Sequence, residues 1–201
     1  MVVVLTWNNH IEIVKVLLDN KADINKCTDN GESPLYIACQ NNHIEIVKVL
    51  LDNKADINKC TDNEVSPLYI ACRNNHIEIV KLLLYNKADI DKCDDSGTSP
   101  LYIACQKNHI DIVKLLVDNK ADTNKRTAKG YSPLEVACCN ESDEISNILL
   151  DNKADIYECT NNDISLKQVA RDKGYNNILA FIKEQSREEV IYQRIEKEYP
   201  L

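Results

Sequence analysis

Nine cysteines and four histidines are the side chains of this 201-residue chain that could bind a metal, attack an electrophile or move a proton. Their spacing argues against all three. His10, His43, His76 and His109 stand 33 residues apart, and Cys39, Cys72, Cys105 and Cys138 form a second column with the same step. Cys27, Cys60, Cys93 and Cys159 form a third, with Arg126 in the gap. Ligands of one zinc ion must converge to about 2.3 Å from it, which residues in equivalent places of successive units cannot do. The histidines read as structural, each at the start of a helix. Vicinal Cys138 and Cys139 are the one adjacent thiol pair, and half of it belongs to a column. There is no H-E-x-x-H, no G-x-S-x-G and no phosphate-cradling glycine loop. The expectation is a chain with no catalytic residues, no metal and no cofactor.

What must position these residues is a repeat. The 23 letters NNHIEIVKVLLDNKADINKCTDN run from Asn8 to Asn30 and again from Asn41 to Asn63. Pro34, Pro67, Pro100 and Pro133 keep the same step of 33. A fixed period of this length predicts a solenoid of stacked helix pairs, each burying its apolar faces only against its neighbours.

The strings S-P-L-Y-I-A-C (Ser33 to Cys39), N-H-I-E-I-V-K-V-L-L (Asn42 to Leu51) and A-D-I-N (Ala55 to Asn58) resemble the ankyrin repeat. The resemblance spans about residues 1–183. It implies an all-α solenoid of helix-turn-helix units with projecting β-hairpin-like fingers. About six units follow, near 1–30, 31–63, 64–96, 97–129, 130–162 and 163–183, the terminal ones degenerate, with 184–201 left as a charged helix or tail. It also implies a role in binding other proteins and not in catalysis.

Composition agrees with an ordered chain: 44% apolar, 28% charged, and only four glycines. The apolar run Val2 to Leu5 is too short for a secretory core or a membrane span. No membrane association and an intracellular, cytoplasmic location are expected, with the nucleus left open. In a reducing compartment the thiols are free, and packed helices about 8–10 Å apart hold same-column cysteines beyond the ~7 Å Cα limit of a disulfide.

Within a unit, Ser33, Ser66, Ser99 and Ser132 are N-cap residues followed by proline at the first helical position, where a missing N–H is harmless. The second helix is read from about Ile44 to Asp52, apolar around most of its circumference, with Glu45, Lys48 and Asp52 as a wet stripe. Asn42, Asn75 and Asn108 close the first helix where the family usually has glycine. Lys21, Lys54, Lys87, Lys120 and Lys153 stand at another such column. If the backbone there keeps a positive φ, each lysine costs on the order of 1 kcal/mol relative to glycine, unless the preceding asparagine absorbs part of the turn.

The units diverge toward the C-terminus. Residues 97–129 carry a net +3 and residues 130–162 a net −6, within a chain of −8. A single +3 unit offers too few phosphate contacts for nucleic acid. In the ankyrin resemblance, contacts come from finger tips and the exposed side of helix one, where Arg73, Lys107, Arg126, Lys129 and Tyr131 appear in units three to five. The chain is therefore read as a monomeric scaffold for a protein with an acidic segment, anchored on Tyr131. Two alternatives remain. One is a spacer role inside a longer array; the abrupt start, with Met1 in the proline column, fits either a makeshift cap or a longer array. The other is hydroxylation of Asn25 and Asn58, whose L-x5-D-I-N strings resemble sites of asparaginyl hydroxylases.

Intact mass under non-reducing conditions, with metal analysis, should show every one of the nine cysteines as a free thiol and no stoichiometric zinc. One zinc per chain would overturn the structural reading of the columns.

Overall fold

The computed structural model describes residues 10–155 together with 171, 179, 180 and 183. Among these lie nine helices: α1 (Ile11–Asp19), α2 (Pro34–Gln40), α3 (Ile44–Asp52), α4 (Pro67–Arg73), α5 (Ile77–Tyr85), α6 (Pro100–Gln106), α7 (Ile110–Asp118), α8 (Pro133–Cys139) and α9 (Asp143–Asp151). The short first helices stack as α2, α4, α6, α8, and the second helices as α1, α3, α5, α7, α9. The sixth unit, apart from the four residues named, the tail 184–201, the start at 1–9 and Cys159 lie outside the described residues.

Each first helix starts as its letters require. The Ser33 Oγ accepts the Tyr36 N–H at 3.1 Å, and Ser66, Ser99 and Ser132 repeat the cap on Tyr69, Tyr102 and Glu135. Seven residues make few internal bonds, so such a helix is marginal alone. It is held by burial: Leu35, Ile37, Ala38 and Cys39 are all within 1% of full burial. The helix ends at Gln40, and Asn42, two residues on at φ 60°, turns the chain so that the His43 N–H can reach back to the Ala38 carbonyl.

The second helices meet neighbours on two sides. Ile46, Val47 and Leu50 of α3 are fully buried, Ile44, Val49 and Leu51 half-buried, and Glu45, Lys48 and Asp52 exposed. Lys48 and Glu45 pair at 2.7 Å, and the Lys15–Glu12 and Lys81–Glu78 pairs repeat it on α1 and α5. In water such pairs contribute a few tenths of a kcal/mol.

At the end of α3 the lysine, and not the asparagine before it, takes the left-handed conformation. Asn53 has φ −90° and Lys54 φ 66°. The Lys54 N–H donates to the Leu51 carbonyl and the Ala55 N–H to Leu50, a Schellman closure with lysine where glycine is usual. The Asn53 side chain supplies a second seal, donating to the Val49 carbonyl at 2.9 Å. Lys21, Lys87, Lys120 and Lys153 sit at φ 60° to 69°.

The fingers are turns closed by one residue pair. In the first, the Gly31 N–H donates to the Thr28 carbonyl and the Thr28 N–H to that of Glu32, a type I turn followed by a left-handed bulge residue. No strand forms among the described residues. Adjacent fingers are stitched at their tips: Asp62, Asp95 and Ala128 N–H donate to the carbonyls of Asn30, Asn63 and Ser96. The approach is close at Gly97, where a Cβ would come 2.8 Å from the Ala128 nitrogen, whereas the equivalent Glu64 carries a side chain at φ 58° beside the same kind of stitch.

Lys54→Gly should raise stability by a few tenths to about 1 kcal/mol, because it relieves a positive φ at an exposed site. Gly97→Ala, also at positive φ but pressed against the next finger, should lower it by at least ~1 kcal/mol. Urea midpoints of the two variants moving in the same direction would contradict this account.

Candidate partner-binding cleft

The third residue of each first helix is Tyr36, Tyr69 and Tyr102, and in the fifth unit Glu135. One helical turn from the serine cap, these side chains lie beneath the fingers and are 6% to 8% exposed for the tyrosines. Burial is the main cause that raises all three phenols above the usual range. For Tyr69 the Asp94 carboxylate adds to it, accepting the Tyr69 hydroxyl, and the phenol is pushed up to about 12. The Asp94 Oδ1 also receives the Ser96 and Thr98 N–H groups at 2.9 Å each and the Ser96 hydroxyl at 2.7 Å.

Between the fingers at 94–98 and 127–131 and the helices α4 and α6 lies a cleft of about 460 Å³. Tyr69, Tyr102 and Tyr131 wall it; Gln106 and Lys129 are among its polar lining. Tyr131 is 40% exposed, one of few large apolar side chains so placed among the described residues. With three donors on Asp94 Oδ1, the remaining polar groups of the lining include the Tyr102 and Tyr131 phenols, the Gln106 amide and the Lys129 ammonium. Such a surface complements carboxylates.

Of the five residues singled out from the sequence, the cleft takes in Lys129 and Tyr131. Arg73 and Lys107 are exposed at the far end of the first helices, Arg73 as the last residue of α4 and Lys107 just after α6. Arg126 is turned inward: its Nη1 donates to the Gly130 carbonyl at 2.6 Å and lies 3.4 Å from Glu135 Oε2. Tyr69, Tyr102, Asp94 and Ser96 escaped sequence reasoning. The tyrosines sat in the string that carries the family resemblance, and their own period of 33 was the available signal.

The other columns prove to be staples between units. His76 Nδ1 bonds the Cys39 carbonyl at 2.8 Å and His109 Nε2 that of Arg73 at 3.1 Å, each one unit back. Asn25 and Asn58 accept, through Oδ1, the N–H groups of Asp56 and Asp89 at 2.9 Å. Asp91 and Asn124 do the same for Asp122 and Asp155. The Cys39, Cys72, Cys105 and Cys138 thiols are buried, and burial raises each, Cys138 to about 12. Such thiols are inert nucleophiles. Among the described residues no group of three or more His, Cys, Asp or Glu could hold a metal ion, and no helix is long and apolar enough to cross a membrane.

The raised Tyr69 phenol makes a pH prediction. Its folded pKa of about 12 lies above the ordinary phenol value of 10.0, so the folded state holds the proton where the unfolded state loses it. Stability is unaffected below pH 10 and falls as pH climbs toward 12. Urea midpoints measured across that interval should decline, and less steeply in Tyr69→Phe. An equal slope in both proteins would exclude Tyr69 as a source of the loss.

A family model described as ankyrin repeats (3 copies) matches residues 1–94 and again 84–158. No curated protein matches the chain significantly. The matched segments cover most of the sequence, and the stacked helix pairs, the capped Ser-Pro starts and the stitched fingers give the match its physical content. The chain belongs to the ankyrin repeat family.

Proposed function

We propose that the chain is a protein-interaction scaffold whose primary surface is the concave cleft of units three to five. Ankyrin repeats are in general protein–protein interaction modules and typically not enzymes. The observation that carries the finer reading is the cleft itself, which brings Tyr131 and Lys129 together with Tyr69 and Tyr102 in one concave space. Tyrosines offer large contact area with a directional hydroxyl and lose little entropy on ordering, the usual traits of a binding anchor. Lys129 has no ion-pair partner among the described residues and is the cation in the cleft's lining, with exposed Lys107 and Arg73 beyond it at the ends of the first helices. The partner that fits is a protein presenting an acidic segment, its carboxylates on the rim and an apolar side chain against Tyr131.

Affinity capture with the intact chain, followed by binding kinetics on the captured protein, tests this. Lys129→Glu should slow association and weaken its salt dependence. Tyr131→Ala should weaken binding by roughly 1–3 kcal/mol, mainly through faster dissociation. Binding untouched by both changes, yet lost on altering Asp29 and Glu32 of the first finger, would move the site to the other end of the array.

A further inference from the structure

The junction between the fourth and fifth units departs from its siblings at two columns at once. Arg126 stands where they have Cys27, Cys60 and Cys93, and Glu135 where they have Tyr36, Tyr69 and Tyr102. The two newcomers meet. Arg126 Nη1 lies 3.4 Å from Glu135 Oε2, with the two side chains only 19% and 6% exposed. The same nitrogen donates at 2.6 Å to the Gly130 carbonyl, at the base of the turn that carries Lys129 and Tyr131. Glu135 in turn is locked to the start of its helix. Its Oε2 accepts the Ser132 N–H at 2.6 Å while Ser132 Oγ accepts the Glu135 N–H at 3.2 Å, a reciprocal capping box.

The sibling cysteines do much less. Cys27, Cys60 and Cys93 donate only to the carbonyl two residues back, at 3.3 to 3.4 Å, and reach neither the finger's turn nor the helix behind it. The arginine fork therefore connects three things that are separate elsewhere: the finger tip, the helix cap and a buried carboxylate. That carboxylate is under-satisfied, since Glu135 Oε1 is buried without a hydrogen-bond partner. Removing the guanidinium would leave a buried charge with less compensation, which makes each residue depend on the other.

We propose that Arg126 and Glu135 are positioning residues for the binding cleft: a clamp that holds the finger at 127–131 in one conformation, so that Tyr131 and Lys129 meet a partner already ordered. Arg126 acts behind the surface and is not itself a contact. A preordered anchor spares the partner the entropy of arranging it, which appears as slower dissociation. The inference rests on Tyr131 as the anchor of the proposed interface, but the clamp is testable on the free protein.

The experiment compares the full chain with Arg126→Cys, Glu135→Tyr and the double exchange, which restores the pair that the sibling units carry. Arg126→Lys is added because it keeps the charge and loses the fork. Amide hydrogen exchange is followed in the segment 127–132, with the finger at 94–98 as the reference within the same molecule. Each single change should speed exchange of 127–132 over the reference by roughly tenfold, Arg126→Lys by somewhat less, and the double exchange should recover most of the protection. Once a partner has been captured, Arg126→Cys should speed its dissociation and leave the salt dependence of its association as in the parent protein, unlike Lys129→Glu. Wild-type exchange at 127–132 in both Arg126 variants overturns the clamp, as does a double exchange no better than the two single changes added together. If the exchange pattern holds while Tyr131→Ala leaves capture intact, the clamp stands and the anchor reading falls. The reverse pattern separates them the other way.

Discussion

The short first helices α2, α4 and α6 end in carbonyls that the next unit helps to answer. The Cys39 carbonyl is met by His76 and that of Gln40 by Asn74. The Arg73 carbonyl is met by His109, and those of Cys105 and Gln106 by Asn140. In the fifth unit Ser142 occupies the histidine column and donates instead to Asn108 Oδ1 at 2.7 Å. A helix of seven residues cannot stand alone, and buried backbone groups left unpaired are costly. Stacking therefore satisfies polar groups and buries apolar ones in the same contact, so a unit without a neighbour loses both. This explains why histidine and asparagine recur with the apolar residues and why they belong to the scaffold and not to any chemistry.

With the stacking interface committed to stability, the freedom to vary lies on the fingers and on the rim of the first helices. The first two units share 23 identical letters, so their surfaces cannot distinguish one partner from another. Divergence in units three to five changes that. Asp94 replaces the threonine found at Thr28, Thr61 and Thr127 and gathers the hydroxyl of Tyr69; Tyr131 occupies a position held by Glu32, Val65 and Thr98. The cleft opens where these departures fall together.

The scaffold tolerates local strain to the same end. Ten residues other than glycine sit at positive φ, among the described residues, including five lysines and Glu64 in a finger turn. Each disfavours the fold by up to about 1 kcal/mol against glycine, while the fully buried Leu and Ile of units two to five far outweigh it. At Gly31 and Gly97 the neighbouring backbone, and not φ alone, would crowd a Cβ, at 2.6 and 2.8 Å.

The linear sequence by itself determined the period, the family, the caps at the serine-proline starts, the bounds of the second helix at Ile44 and Asp52, and the columns of special backbone. These depend on local propensity and burial pattern, which a repeat states several times over. It could not show that the Lys54 column, and not Asn53, takes the turn, since either residue can adopt it and the Schellman bonds choose between them. Nor could it show which side chains reach across units. Asn25 and Asn58 read as candidates for modification and are seen as staples onto the next unit. Arg126 read as an exposed charge because its column suggests surface, yet a buried carboxylate nine residues on in the chain draws it inward. Long side chains choose partners by three-dimensional reach and by the desolvation of the acceptor, and only the stacked fold brings those acceptors within range.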